Sequence, residues 1–560
     1  MAVSVEESAR SGIPDNLDSE AINDGFELSV CPANPSSSQL TAGRETDGQP
    51  GRTLETFKDQ QSVILPMKKL LIVFPALALV QFTSFLDQTA VSTALPAIAN
   101  ALQLGTSISW VGASFLTAST SIQLIAGRLS DIFGRKNCLI VSISLLGLGN
   151  LIAGFANTPA QLYTGRSISG LGGGAINSLV QISISDITTL QQRGNFFGFI
   201  GVAVAFGNGL GPVIGGTLTE ESSWRWALWF ITPMAAVALL IIVIVLPATK
   251  VTGNTWQKTK LVDWTGLLTN IAAVVLVLVS LSEGGATLPW VSAPVISMLI
   301  IGAVLCVVFL AVEWRFAKLP IMPRRLFQNG FTANALLLQS FFIGWVFWGN
   351  LFYLPLYFQN VRGWTPSRSG VLILPMTIAH GVFSGVSGNL VSRLDHFKWI
   401  IIVGTAVWTA GLGCQIAYGQ LTPVWVFVVV GIAEGFGVGL CLQPVLVAIL
   451  ANSLKADRAV MTGIRNFLRT IGGALGLIVS GLILNNILAS HLQRTFPSAD
   501  MSYISSSAFS LSSLNLSDEQ RSAILQAYMR GLHTVFISYV PLIGFCFVTG
   551  MFIHDNGLAG

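Results

Sequence analysis

From about residue 67 onward the chain alternates between apolar runs of about 20 residues and short breaks rich in charge, Gly or Pro. A helix of that length crosses the ~30 Å hydrocarbon core of a bilayer. Fourteen such runs are predicted, centred near residues 80, 118, 147, 173, 208, 237, 273, 304, 342, 380, 408, 437, 475 and 543. The pattern predicts an all-α membrane protein with 14 transmembrane spans. Residues 1–66 break the pattern. They hold eleven acidic and four basic side chains among many Ser, Gly, Pro and Asn. Such a segment buries too little apolar surface to offset its chain entropy, so a disordered cytosolic tail is expected there. The tail has no apolar core of a cleaved signal peptide, which leaves the first span as the targeting signal.

Composition sharpens this picture. The chain is 52% hydrophobic and 10% charged, against roughly 25% charged in soluble domains. With the N-terminus inside, the inner breaks carry fifteen Lys and Arg and the outer breaks six. The positive-inside rule then puts both termini in the cytosol. The six cysteines (Cys31, Cys138, Cys306, Cys414, Cys441 and Cys546) are scattered, with neither a disulfide framework nor metal-ligand spacing. The absence of a Walker sequence argues against ATP as the energy source, and no cofactor is expected.

The chain also repeats itself. Residues 193–216 match residues 458–481 at an offset of 265, laying Arg193 on Arg458, Gly198 on Gly463, Gly207 on Gly472 and Gly211 on Gly476. The same offset sets SGLGGG at 169–174 over EGFGVG at 434–439, and a looser one sets GRLSD at 127–131 against GNLVS at 388–392. Span four thus corresponds to span twelve, and span five to span thirteen. The expected organisation is a six-helix half over 67–250, two inserted spans over 251–325, and a second six-helix half over 326–560 with a long outer loop at 489–530. Two such halves around a cavity suit alternating access.

Four motifs carry more. GRLSDIFGRK at 127–136 fills the short turn between spans two and three, where Gly127 and Gly134 permit a tight turn. Arg128, Arg135 and Lys136 can pair there with acids on moving neighbours, and Asp131 sits by the positive end of the next helix. This segment resembles the cytoplasmic gating motif of the major facilitator superfamily. LDQTAVSTALP at 86–96, RSISGLGGGA at 166–175 and GNGLGPVIGG at 207–216 resemble the first-, fourth- and fifth-span motifs of its fourteen-span drug:proton antiporters. In the last, Gly207, Gly211 and Gly215 recur every four residues, with Pro212 and Gly216 beside them, as in a close-packed seam. YLPLYFQNVRGWTPSRSGVLILP at 353–375 looks like the fungal efflux pumps for toxins and drugs. The likeness covers about residues 68–555. The second copy of the gating motif has Ser392 where Asp131 stands in the first.

A charge at membrane depth is costly and is a functional candidate by default. Asp87 and Arg166 fall at similar depth on spans that are neighbours in the resembled architecture. They either take part in proton coupling or form a pair that fixes helix register. Glu434 lies near the middle of span twelve with no basic residue close in sequence; it either carries a proton or hydrogen-bonds within the bundle. Glu283 and Glu313 sit at span ends, and His380 reads as a packing residue rather than a proton carrier. In span nine, Gln339, Trp345, Trp348, Asn350, Phe352 and Tyr353 form an aromatic stretch with polar interruptions. It suits a cavity for flat organic compounds or cations, though Trp and Tyr also gather at membrane interfaces. Asn515-Leu516-Ser517 is a glycosylation acceptor pattern in an expected outer loop.

These features point to a proton-coupled antiporter exporting small organic molecules, namely drugs, toxins or secondary metabolites, across the plasma membrane. A vacuolar importer of basic amino acids has the same topology and is the alternative. Substrate, protons and the lipid bilayer are the expected partners, without nucleic acid, and the chain is expected to act as a monomer. The sequence has no metal box, nucleophile elbow or nucleotide loop of an enzyme.

Overall fold

A computed structural model describes residues 66–104, 107–108, 110–188, 190–247, 264–284, 288–316, 322–328, 330–454, 457–495, 518–555 and 557. The expected tail and Asn515 lie outside the described residues. Among the described residues fourteen long helices follow one another, and each covers one of the predicted centres. They are α1 (Met67–Leu102), α2 (Trp110–Phe133), α3 (Arg135–Gly154), α4 (Pro159–Ile187), α5 (Leu190–Glu221) and α6 (Trp226–Val245). Then come α7 (Trp264–Glu283), α8 (Ala293–Ala311), α9 (Phe331–Leu356), α10 (Pro366–Leu394), α11 (Lys398–Gln415), α12 (Val424–Ala451), α13 (Arg458–Thr495) and α14 (Asp518–Met551). The loop expected over 489–530 is helical at both ends, since α13 runs on to Thr495 and α14 starts at Asp518.

Eleven of these helices are long and apolar enough to cross a membrane. The other three are α2, α4 and α11. In α2 and α4 the apolar run is diluted by Ser, Thr, Gln and Gly, and most of those polar side chains are buried between helices rather than turned to lipid. In α11 the dilution comes from Lys398 and Gln415 at its two ends. The opposite extreme is α8, apolar on every side and exposing Ile300, Ile301, Val304 and Val307, as a helix wrapped mainly by lipid would. Local signals set the ends. Pro159 and Pro366 open α4 and α10, and Thr158 and Thr365 cap them by accepting the amides of Gln161 and Arg368.

The helices pack in a pattern with internal symmetry. Within the first six, α1 lies on α5, α3 on α4 and α2 on α4; within the last six, α9 lies on α13, α11 on α12 and α10 on α12. Adding eight to each label turns the first set into the second. The two groups meet along α5 against α10 and α2 against α13, which the same exchange also interconverts. α7 and α8 pair with each other, and α7 leans on both α2 and α13.

Candidate functional site

Small residues bring the backbones together first. A Cβ on Gly207 would lie 2.8 Å from the Phe82 carbonyl oxygen of α1, and one on Gly211 2.9 Å from that of Leu86. Gly215 is equally close to Ala90, so the four-residue repeat is the seam between α5 and α1. Thr89 and Thr93 donate across it to the carbonyls of Gly207 and Pro212, at 3.2 and 2.9 Å. Gly216 faces the other way, against Pro366 of α10.

Two buried polar triads lie on corresponding helices of the two groups. In the first, Arg166 of α4 meets Asp87 of α1 at 2.6 Å and donates to Asn150 of α3 at 3.2 Å. Both charged side chains are essentially fully enclosed, and the guanidinium lies over the Phe115 ring. In the second, Asn350 of α9 donates to Glu434 of α12 at 2.5 Å, and Gln415 of α11 donates to Asn350 at 2.7 Å. The helices correspond one to one, but the charges do not. α1 contributes an aspartate where α9 contributes an amide, and α4 an arginine where α12 contributes a carboxylate, although the repeat register sets Glu434 on Ser169 rather than on Arg166. The first triad holds a compensated pair; the second holds a carboxylate whose bonded neighbours are amides.

Between the two groups runs a belt of buried polar side chains. Gln81 of α1 donates to Asn177 of α4 at 2.9 Å; Gln181, one turn on, receives Asn466 of α13 at 3.1 Å. Gln123 of α2 and Thr470 of α13 exchange hydrogen bonds at 2.9 and 3.1 Å. Phe85 of α1 stacks on Trp348 of α9, their centroids 6.2 Å apart. Arg465 and Arg469 of α13 lie in this belt, 2% and 5% exposed. The expected intramembrane charges did not include them. The signal was present, because the repeat register sets both arginines on aliphatic positions, Ile200 and Val204.

At one end of the bundle the α2–α3 turn gathers charge. Gly134 sits at φ 88°, a conformation side chains disfavour. Arg135 meets Asp131 at 2.6 Å and Asp186, at the end of α4, at 3.0 Å, and it also donates to the Gly127 carbonyl. Lys136 donates to the Val243 carbonyl of α6. Arg128 feels the carboxylates of Asp131, Glu313 and Asp457, and Asp457 is itself paired with Arg325 at 2.7 Å. The turn is therefore wired to the segment that opens α13.

A family model for the Major Facilitator Superfamily matches residues 77–477. The chain belongs to that superfamily. It is 38% identical over 513 residues to "Citrate exporter 1" of Yarrowia lipolytica, covering 91% of this chain and 76% of that protein. It is 33% identical over 478 residues to "Efflux pump dotC" of Dothistroma septosporum strain NZE10, covering 85% and 82%. Among solved structures, a bacterial homologue of the human lysosomal transporter Spinster superposes with a TM-score of 0.59 at 14% identity, over 87% of this chain and 98% of that one. The chain is thus a major facilitator of small organic molecules with fungal relatives, and its helices make it a multi-pass membrane protein.

The span-nine residues of this major facilitator do not converge on one cavity. Gln339 bonds the Cys546 carbonyl and the Thr549 hydroxyl of α14, both at 3.0 Å. Tyr353 donates to the Leu477 carbonyl of α13, Asn350 belongs to the Glu434 triad, and Trp345 packs against Gly476. Trp348, stacked on Phe85, faces the first six helices. His380 of α10 is buried, and neither ring nitrogen has a hydrogen-bond partner among the described residues.

Proposed function

We propose that the chain is a proton-coupled antiporter of the fourteen-span drug:proton branch. It exports small organic molecules from the cytosol by alternating access between the α1–α6 and α9–α14 halves, with α7 and α8 as an insert. One observation supports the coupling, namely that the first triad holds a paired carboxylate and the second a carboxylate bonded to an amide. Protonating Asp87 would strand Arg166 as a buried lone cation, at a cost of several kcal/mol. Protonating Glu434 instead removes a buried charge and keeps the hydrogen bond to Asn350. Glu434 is therefore assigned as the proton carrier, and the Asp87–Arg166 pair as the fixed counterpart.

Citrate, drug-like compounds and secondary metabolites are the cargo classes to test first, given the names of the relatives. Import of basic amino acids into a vacuole is disfavoured, because Arg465 and Arg469 would repel a cationic cargo from the belt between the halves. The plasma membrane, with both termini cytosolic, is the proposed location. The test is a tagged chain in a yeast lacking its own efflux pumps, assayed for localisation, citrate release and compound resistance with and without a protonophore. Export should collapse with the protonophore, and Glu434→Gln should reach normal abundance yet fail to export. Protonophore-insensitive export would sink the coupling; full export by Glu434→Gln would move it to Asp87.

A further inference from the structure

Arg465 and Arg469 stand four residues apart on α13, one turn or about 6 Å along the axis. Arg458 opens the same helix, and at 7 and 11 residues' spacing the three share one face. At its foot, Arg458 and Arg193 of α5 are near enough for their charges to act on one another. Two arginines thus meet at that end of the interface, with Asp186 beside Arg193.

The deeper pair lacks what buried arginines require. Arg166 in this same protein shows the usual solution, a carboxylate at 2.6 Å. Among the described residues neither Arg465 nor Arg469 makes an ion pair, and the Nε of each has no hydrogen-bond partner. Arg465 donates only to the Leu442 carbonyl at 2.7 Å and the Asn466 side chain at 3.0 Å. Arg469 lies 5.9 Å from the Phe85 ring centroid across the interface. His380, buried with both ring nitrogens unbonded, is close enough to feel the Arg469 charge. Enclosing two cations without an acid is expensive, and a purely structural role in a duplicated scaffold would not explain Ile200 and Val204 at the equivalent positions.

We infer that Arg465 and Arg469 form an anion-binding site between the two groups of helices, and that the cargo is a small organic acid bearing two or more ionised carboxyl groups. Each guanidinium can grip one carboxylate through paired N–H donors, and the one-turn spacing fits carboxyls a few carbons apart. His380, with its unbonded ring nitrogens near Arg469, can meet a remaining oxygen. The inference rests on the proposal that cargo passes between the two halves.

The test is binding to the purified full chain in lipid nanodiscs, read by scintillation proximity with radiolabelled acetate, succinate and tricarballylate. Lysine and the trimethyl ester of tricarballylate are the competitors. Affinity should rise with the number of carboxylates, and neither competitor should displace the label. Arg465→Gln and Arg469→Gln should each weaken tricarballylate binding by about tenfold or more, the worth of one charged hydrogen-bonded contact. Lys at either position should restore part of it. Equal affinity across the series, displacement by the ester, or unchanged binding by both Gln variants would overturn the site. Should the Gln variants fail to accumulate, the charge series on the unaltered chain decides alone. Protonophore-sensitive export of uncharged compounds beside a flat anion series would leave the transporter standing without this site. Failure to move any cargo would remove the transporter reading itself.

Discussion

A buried ion pair and a buried lone carboxylate answer differently when one charge is removed. Asp87→Asn leaves Arg166 enclosed with no counter-charge, which costs roughly 3–5 kcal/mol in a soluble core. The variant should therefore show a lower melting temperature and reduced abundance in fluorescence-detected size exclusion. Adding Arg166→Gln removes the stranded cation and should recover abundance. If Asp87→Asn alone melts like the unaltered protein, the pair is not what holds α1 against α4. Asp87 and Arg166 were legible in the sequence because each is a lone charge inside an apolar run at matching depth. The partners of Glu434 were not, since Asn350 and Gln415 come from two other helices and are joined only by packing. Arg465 and Arg469 went unmarked for a related reason. They lie 7 and 11 residues into α13, where an arginine can snorkel to the interface; only α1, α10 and α12 packing around them shows that these two are enclosed.

At the scale of elements, the α2–α3 turn joins backbone constraint to charge. Gly134→Leu would force a side chain into φ 88°, at a cost on the order of 1–3 kcal/mol, and would shift Arg135 relative to Asp186. Asp131→Asn is milder, because Arg135 keeps its second carboxylate. Both variants should insert and localise normally yet lose most of their transport in the yeast efflux assay. Normal transport by correctly localised Gly134→Leu protein would remove the turn from the gating machinery. The fourteen helices themselves were readable because spanning hydrocarbon demands long apolar runs. Even α2 and α4, diluted by small polar residues, were read from their apolar runs and the breaks that flank them. Which face each helix presents was not readable. Gln339 turns to α14 and Trp348 to α1, although nine residues of one aromatic run separate them.

At the scale of the whole molecule, alternating access requires the two groups of helices to part at each end in turn. α5 and α10 touch along their whole length, from Gly194 beside Ser392 to Gly216 beside Pro366. A Cβ placed on Gly194 would lie 3.4 Å from the Ser392 Cβ, close to the spacing that a disulfide spans. The contact is at the end of the bundle that holds Gly134, where α5 starts and α10 finishes. Gly194→Cys with Ser392→Cys, in a chain whose native cysteines are replaced, should cross-link on mild oxidation. If rocking opens that end, transport should stop when the link forms and return when dithiothreitol breaks it. The Ser392→Cys single variant should transport throughout. The repeat bears on this prediction, because exchanging the halves maps α5–α10 onto α13–α2. Motion at one interface therefore implies matching motion at the other, where Gln123 and Thr470 exchange their hydrogen bonds. A fully cross-linked protein that still exports at the normal rate would mean that α5 and α10 move as one body, and the conformational change would then have to lie elsewhere.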